Sequence, residues 1–274
     1  MSEPPLPTFP ASFDPGPSFV ELLRRVAPHQ LPGAGAGAAA PAEGAPPTVH
    51  GTTVVAIRCA GGVVMAGDRR ATAGHMIASR RIEKVFPADD YSGVAIAGAA
   101  GPAIEMVKLF QTQLEHYEKV QGDALSLEGK ANQLGLLVRS NLPAAMQGFV
   151  VVPLFAGYDH ARGRGRVFSY DVTGGRYEEI DFQAQGSGSI HARNWIKASW
   201  RDDIARDEAI DLAIRALFAA ADEDTATGGP DLVRRIFPTV AVIDADGYRA
   251  LPDEDVEARS QALLGSPARG GEPS

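Results

Sequence analysis

From residue 52 onward the chain alternates between two kinds of hydrophobic pattern. Short runs rich in β-branched residues predict strands, and longer stretches with apolar residues at every third or fourth position predict helices. The predicted strands cover residues 52–59, 63–68, 75–79, 82–86, 92–98, 148–158, 165–171, 176–181 and 182–186. The predicted helices cover residues 102–120, 126–142, 189–200 and 206–223, and residues 237–250 predict a final hairpin.

The order of these elements indicates the fold class. Strands, two helices, strands, two helices and strands follow one another, which favours an α+β protein with two stacked sheets, or one sheet, and helices layered outside. The steady strand–helix alternation of a doubly wound parallel fold is missing. No G-x-G-x-x-G or P-loop pattern follows a strand, so nucleotide-phosphate binding is not expected.

Both ends of the chain differ from the middle. Residues 1–51 hold 11 of the 20 prolines and a Gly/Ala tract at 33–40, so we expect a mostly mobile segment with one short amphipathic helix or turn at 18–23. The polar, Gly/Pro-rich residues 255–274 predict a frayed helix followed by a flexible tail. A folded domain over residues 52–254 is therefore expected between two mobile ends.

Composition excludes several classes of function. The net charge of −8 and the lack of a long basic cluster argue against nucleic-acid binding, and no apolar run is long enough for a membrane span. The first residues lack the basic and apolar regions of a secretory signal. One cysteine, Cys59, fits a reducing cytoplasm. The six histidines show no metal-binding spacing and no G-x-S-x-G elbow is present, so neither a metal site, nor a cofactor, nor a serine hydrolase is predicted.

The junction of the proline-rich segment with the first strand places Gly51 directly before Thr52. If that peptide bond were cut, Thr52 would carry a free α-amine, with a pKa of about 7.7–8, beside its own hydroxyl. One residue would then supply both the nucleophile and the general base. Glycine at position 51 lacks the Cβ that would hinder approach of the hydroxyl to the carbonyl. Taken alone, the junction also fits an ordinary strand start.

Two charged residues follow at regular distances, Asp68 sixteen positions and Lys84 thirty-two positions after Thr52. A lysine next to Val85 and Phe86 in a predicted strand is awkward to bury unless a carboxylate pairs with it. Asp68 is the candidate partner, and a held ammonium would favour a deprotonated hydroxyl nearby. Each residue alone also fits a tight turn or an exposed strand edge.

Three further segments could complete such a site. The glycine-rich turn that includes Gly98 joins a strand to a helix, where backbone N–H groups could stabilise an oxyanion. Ser187 opens a helix in the run Gly186-Ser187-Gly188-Ser189, and Asp224 ends the next helix. Each segment alone also fits a turn or a helix end.

These motifs occur in one order that closely resembles the catalytic β subunits of 20S proteasomes, specifically the bacterial, actinobacterial type with a long propeptide. The resemblance runs from Thr52 to about residue 250, and residues 1–51 match only in kind. It is carried by Thr-Thr-Val-Val, Gly-Gly-Val-Val-Met-Ala-Gly-Asp-Arg-Arg, Lys84, Ala-Gly-Ala-Ala-Gly, Gly-Ser-Gly-Ser and Asp-x-x-Thr-Gly-Gly-Pro-Asp.

The resemblance implies a four-layer αββα sandwich of the N-terminal-nucleophile hydrolase type, and a threonine endopeptidase freed by cleavage between Gly51 and Thr52. Thr52 would be the nucleophile, Asp68 and Lys84 the charged pair, and Gly98 the oxyanion donor. Ser187 and Asp224 would position the amine; the role of Thr227, where the family often has serine, is less defined. The implied substrate pocket, which predicts cleavage after large hydrophobic residues, consists of Ala71, Thr72, Ile82, Phe86, Ile96, Ala100 and Ile104.

The resemblance also implies an assembly. Seven β subunits would form a ring, two such rings would stack between two proteasome α-subunit rings, and an ATP-driven unfoldase on the α rings would deliver unfolded or tagged proteins. The chain has no ATPase motif of its own.

Three alternatives stay open. HslV-type peptidases share the threonine start, but they are shorter and carry Gly-Asp-Gly where this chain has Gly-Asp-Arg. A purely structural ring subunit typically lacks one of Thr52, Asp68 and Lys84, all of which are present here. An amidase of the same broad fold would act on small molecules and would need no partner ring.

Overall fold

The computed structural model describes residues 51–265. The expectations for the segment before Gly51, including the amphipathic stretch at 18–23, and for the last residues of the tail lie outside the described residues.

Twelve strands and six helices make up the described part of the chain. The strands are β1 (Thr53–Cys59), β2 (Gly62–Gly67), β3 (Ala71–Ala73), β4 (Met76–Ser79), β5 (Val85–Asp89), β6 (Ser92–Gly98), β7 (Val151–Asp159), β8 (Arg164–Tyr170), β9 (Arg176–Glu179), β10 (Phe182–Gly186), β11 (Thr239–Asp244) and β12 (Gly247–Ala250). The helices are α1 (Ala100–Gln121), α2 (Leu127–Ser140), α3 (Leu142–Ala145), α4 (Ser189–Ser199), α5 (Arg206–Glu223) and α6 (Asp253–Gly265).

Two five-stranded antiparallel sheets form the centre of the fold. The first has the order β10-β1-β2-β11-β12 and the second the order β5-β6-β7-β8-β9, while β3 and β4 form a separate hairpin. In the first sheet Val55 pairs with Ala66 across β1 and β2, and Val240 pairs with the same Ala66 from β11. The strands of the first sheet thus come from both ends of the described chain.

Alternating side chains of these strands divide the core into three layers. Val54 of β1 and Leu154 of β7 lie in a cluster between the two sheets. Their neighbours point the other way: Val55 packs among residues of α4 and α5, and Phe155 packs among residues of α1 and α2. Because successive side chains of a strand face opposite sides, each sheet buries both faces. The result is a helix–sheet–sheet–helix sandwich, which confirms the predicted four-layer α+β fold.

The predicted elements differ from the structure mainly around the hairpin. The strand predicted at 82–86 begins only at Val85, because the Ile82 amide donates to the Arg69 carbonyl (3.2 Å) and residues 82–84 cross from the hairpin to the second sheet. Strand β3 and the short helix α3 were not predicted. Strand β3 has three residues and helix α3 has four, which are too few to show a hydrophobic period.

The C-terminal end of the domain extends further than predicted. Residue 254, the predicted boundary, falls inside α6, and Val256 of this helix is buried in the core cluster beneath α5. Arg259 of the same helix pairs with Asp207 and Asp211 of α5. A polar helix that buries one valine on its inner face carries a weak hydrophobic period, which explains why residues 255–265 were expected to be frayed.

We expect Val256→Ala to lower the free energy of unfolding by about 2 kcal/mol, because it deletes two buried methyl groups. Urea denaturation at a fixed protein concentration measures the change. Leu264→Ala, on the same helix but 46% exposed, is the matched control and should cost much less. Equal effects of the two variants would show that α6 does not pack on the domain.

Candidate active site

Thr52 lies immediately before β1 and is almost fully buried. Its backbone carbonyl accepts a hydrogen bond from the Ser187 amide (2.9 Å), which continues the pairing of β1 with β10 by one residue. Its hydroxyl, Oγ1, donates to the carbonyl oxygen of Gly51 (2.8 Å). The sheet therefore fixes the backbone of Thr52 and leaves its hydroxyl beside the carbonyl group of the residue before it.

Gly51 is tightly enclosed. Its amide donates to Thr72 Oγ1 (3.1 Å), and a Cβ at this position would lie 1.9 Å from Cβ of Ala226 and 2.6 Å from the Ala226 carbonyl oxygen. Only glycine fits there without displacing the segment after α5. Packing therefore requires glycine before Thr52, and the missing Cβ also leaves room for the Thr52 hydroxyl to approach the Gly51 carbonyl.

Asp68 and Lys84 form a buried ion pair beside Thr52. Lys84 Nζ lies 2.7 Å from Asp68 Oδ1 and also donates to the Arg70 carbonyl (2.6 Å). Both charged side chains are nearly inaccessible to solvent. Burial lowers the pKa of Lys84 below its usual value, and the Asp68 carboxylate partly offsets this effect.

Backbone amides from three segments satisfy the rest of the Asp68 carboxylate. Oδ1 accepts from the Thr53 amide (2.8 Å), and Oδ2 accepts from the amides of Arg70 (2.9 Å) and Gly228 (2.8 Å). These donors belong to β1, to the turn after β2 and to the segment after α5. A single carboxylate thus joins three parts of the chain and holds the ammonium of Lys84 in place.

Ser187 and Asp224 lie on the other side of Thr52. The backbone nitrogen of Thr52 donates to Ser187 Oγ (3.4 Å), and Ser187 Oγ donates to Asp224 Oδ2 (2.5 Å). Burial raises the pKa of Asp224, but hydrogen bonds from Ser187, Thr227 and the Ala226 amide outweigh burial and lower it below its usual value. Asp224 is therefore an ionised acceptor that orients the serine hydroxyl.

Gly98 ends β6 at the same place. Its φ of +109° lies in the region that favours glycine, and a Cβ there would come within 2.0 Å of the Val150 carbonyl oxygen. Gly98 lines one small recess together with Thr52 and Lys84. The structure thus places the backbone of Gly98 at the same recess as the nucleophile candidate.

The predicted substrate pocket is only partly found in this recess. Ala71, Ile82, Ile96 and Ala100 line it beside Thr52. Thr72 stands next to it through its hydrogen bond with Gly51. Phe86 and Ile104 do not line this recess; both are half-buried and pack against the core cluster that also contains Ile96, so their pocket role stays a prediction.

Several site groups were missed from the sequence. The Arg70 carbonyl and the Gly228 amide are backbone groups, which leave no mark in a sequence pattern. The side chain of Thr53 was missed, and Thr227 was given no defined role; their hydroxyls lie 2.6 Å apart. The repeated Thr52-Thr53 pair was the one available signal.

No group of three or more histidine, cysteine or acidic side chains between residues 51 and 265 is arranged to hold a metal ion. In the same range, no helix is both long enough and apolar enough to cross a membrane. What the site offers is a hydroxyl beside a buried cation, a serine–aspartate pair on the adjoining nitrogen, and a glycine backbone facing the same recess. These groups suit nucleophilic attack on a carbonyl group.

Comparison with known proteins identifies the family. The profile of the family described as "Proteasome subunit" matches residues 48–233. "Proteasome subunit beta" of Acidimicrobium ferrooxidans is 59% identical over 92% of this chain and 90% of its own length. The protein of the same name from Streptomyces griseus is 56% identical over 93% and 91%, and that from Acidothermus cellulolyticus is 59% identical over 87% and 83%.

The chain belongs to the proteasome subunit family. The resemblance to actinobacterial proteasome β subunits, which rested on the Thr52, Asp68 and Lys84 motifs, is confirmed at this level.

In this proteasome subunit, Asp68→Asn should lower the free energy of unfolding by about 3 kcal/mol or more, because it leaves the Lys84 ammonium buried without its counter-charge. Urea denaturation measures the loss. Asp68→Asn combined with Lys84→Met should recover much of it, since the uncompensated charge is gone.

The control breaks an ion pair that is exposed to solvent instead of buried. Glu115→Gln disrupts the solvent-exposed pair with Lys119 and should change stability by less than about 1 kcal/mol. Equal losses for Asp68→Asn and Glu115→Gln would contradict the importance assigned to the buried pair.

Proposed function

We propose that the chain is a catalytic proteasome β subunit, a threonine endopeptidase whose nucleophile is Thr52 after removal of residues 1–51. One observation carries the proposal: the buried hydroxyl of Thr52 lies 2.8 Å from the Gly51 carbonyl oxygen and shares a recess with the ammonium of Lys84. The hydroxyl is thus placed to attack the bond before it, and a cation is available to favour its deprotonation.

The first reaction is self-cleavage. Thr52 Oγ1 attacks the carbonyl carbon of Gly51, its proton leaves to a base, and the C–N bond breaks as the nitrogen takes up a proton. This acyl shift leaves residues 1–51 as an ester on Thr52 Oγ1. The same shift frees the α-amine of Thr52. Water then hydrolyses the ester, which releases a carboxylate at Gly51 and restores the hydroxyl of Thr52.

The second reaction is hydrolysis of a substrate peptide bond. The neutral amine of Thr52 accepts the proton of Oγ1, which attacks the substrate carbonyl carbon. The amine then returns a proton to the leaving nitrogen as the peptide bond breaks. Water, deprotonated by the same amine, hydrolyses the acyl ester and restores Thr52. One residue therefore acts as nucleophile, base and acid in turn.

The surrounding groups have separate tasks. The Lys84 ammonium, held by Asp68 and the Arg70 carbonyl, stabilises negative charge on Thr52 Oγ1 and disfavours protonation of the nearby amine. The Gly98 backbone amide is the proposed donor to the oxyanion of the tetrahedral intermediate. Ser187 and Asp224 orient the nitrogen of Thr52.

We also propose the assembly that the family resemblance implies. Seven copies form a ring, two such rings stack between proteasome α-subunit rings, and the sites face an inner chamber. Unfolded or tagged proteins arrive from an ATP-dependent unfoldase docked on the α rings. The single cysteine, which is buried, supports a reducing compartment, and we propose the cytoplasm.

Thr52→Ala should abolish both reactions, because it removes the attacking oxygen. Intact-mass measurement should show wild-type subunits that begin at Thr52 and variant subunits that retain residues 1–51. Turnover of a peptide with a hydrophobic residue before the scissile bond should disappear in the variant.

The matched control is Thr112→Ala, at an exposed threonine on α1, which should leave processing and turnover unchanged. Full turnover by Thr52→Ala, or wild-type particles that work with residues 1–51 still attached, would overturn the proposed function.

The apolar wall formed by Ala71, Ile82, Ile96 and Ala100 supports cleavage after large hydrophobic residues. Ala100→Val should reduce the space for a substrate side chain, because it adds two methyl groups inside the recess. We expect kcat/KM for a peptide with leucine before the cleaved bond to fall about tenfold relative to one with alanine there.

Paired peptide assays of wild type and variant measure that ratio, with Ala124→Val at an exposed loop position as the control. An unchanged ratio, or a wild-type preference for basic residues, would contradict the proposed pocket.

A further inference from the structure

Two buried hydroxyls, on Thr53 and Thr227, lie behind the proposed catalytic groups, and the mechanism above does not use them. Both residues are completely inaccessible to solvent. Their oxygens are 2.6 Å apart, Thr227 Oγ1 lies 2.6 Å from Asp224 Oδ2, and the Gly188 amide donates to Thr53 Oγ1 (3.1 Å). The four groups form a continuous chain that ends at the carboxylate on which Ser187 depends.

The direction of this chain is fixed by counting protons. An ionised carboxylate can only accept hydrogen bonds, so the one proton of Thr227 Oγ1 points to Asp224. Thr227 Oγ1 must then accept from Thr53, whose own proton is used for that bond. One of the two acceptor sites of Thr53 Oγ1 is taken by the Gly188 amide, which can only donate.

The same count fixes the serine on the other side of Asp224. Ser187 Oγ donates its proton to Asp224 Oδ2 and therefore accepts from the nitrogen of Thr52. In the processed enzyme an amine that donates an N–H to Ser187 has its lone pair left for the proton of Thr52 Oγ1. Asp224 thus determines which way the catalytic base faces, and Thr227 and Thr53 help to hold Asp224 in place.

Packing around Gly188 shows that the chain has no room for water. A Cβ at Gly188 would lie 2.5 Å from Thr53 Oγ1 and 2.8 Å from Thr227 Oγ1. In a valine variant the second methyl group would fill the place of the lost hydroxyl, so a water molecule could not enter there without moving the segment. Loss of one hydroxyl would therefore leave its partners unsatisfied.

We propose that Thr53 is a positioning residue for catalysis, whose hydroxyl links the Gly188 amide to Asp224 through Thr227 and so orients the amine of Thr52. The inference rests on the proposed function. It adds that the second threonine of the Thr52-Thr53 pair is selected for its hydroxyl and not for its place in β1.

Thr53→Val removes the hydroxyl and keeps the shape, whereas Thr53→Ser keeps the hydroxyl and removes a methyl group. In assembled, processed particles we expect Thr53→Val to lower kcat about tenfold with little change in KM, because substrate contacts are untouched. Thr53→Ser should restore kcat to within about threefold of wild type.

The pH profile separates positioning from general destabilisation. Without the Thr53 hydroxyl, Thr227 Oγ1 loses the hydrogen bond that it accepts, and its own bond to Asp224 weakens. The Asp224 carboxylate then keeps more negative charge toward the amine and favours the protonated form of the amine. The acidic limb of kcat/KM should therefore move to higher pH in Thr53→Val and return in Thr53→Ser. Ser169→Ala, which deletes a buried hydroxyl bonded to Glu179 on the second sheet, is the control and should move neither kcat nor the limb.

If Thr53→Val does not assemble, Thr227→Val, with Thr227→Ser as its rescue, carries the same test from the other end of the chain. Wild-type kcat and pH profile in the valine variants would overturn the inference, as would failure of both serine variants to rescue. Failure of both valine variants to assemble while Ser169→Ala assembles would also overturn it, since the hydroxyls would then be structural. Thr52→Ala in the same assay keeps the two proposals apart, because its activity tests only the nucleophile.

Discussion

The buried contact between Lys84 and Asp68 is the constraint on which the rest of the site depends. Removing both charges from water costs several kcal/mol, and only close pairing with full hydrogen bonding offsets that cost. The backbone amides of Thr53, Arg70 and Gly228 supply what the carboxylate still lacks. Their convergence requires the strands and the segment after α5 to be in place, so the site cannot form before the fold does.

The pair also joins the two halves of the sandwich. Asp68 directly follows β2 of the first sheet, and Lys84 directly precedes β5 of the second. The backbone carbonyl of Lys84 accepts a hydrogen bond from the Ile96 amide of β6 (2.8 Å), which anchors the lysine to the second sheet. The recess beside Thr52 therefore lies where the ends of the two sheets meet, and a shift of one sheet against the other would separate the charges.

The sequence was sufficient for what depends on periodicity and on the placement of unusual side chains. Hydrophobic runs predicted most of the strands, although they left open whether these formed one sheet or two, and a lysine among apolar neighbours pointed to its carboxylate partner. It was insufficient where backbone groups do the binding, as with the Arg70 carbonyl, or where a polar helix packs through few apolar residues, as with Val256 of α6. The pocket role of Phe86 stays a prediction, because an apolar residue near a site fits a core and a pocket equally well, and Phe86 packs against the cluster that also contains Ile96.

The position of Gly51 affects when the Thr52 hydroxyl becomes accessible to other chains. It occupies the recess, its carbonyl engages the hydroxyl of Thr52, and Ala226 closes over the place where its side chain would be. While that glycine remains, no other chain can present a carbonyl to the same oxygen. Under the proposed mechanism the precursor is therefore inactive without a separate inhibitor, and each subunit can bind foreign chains only after it has cleaved itself.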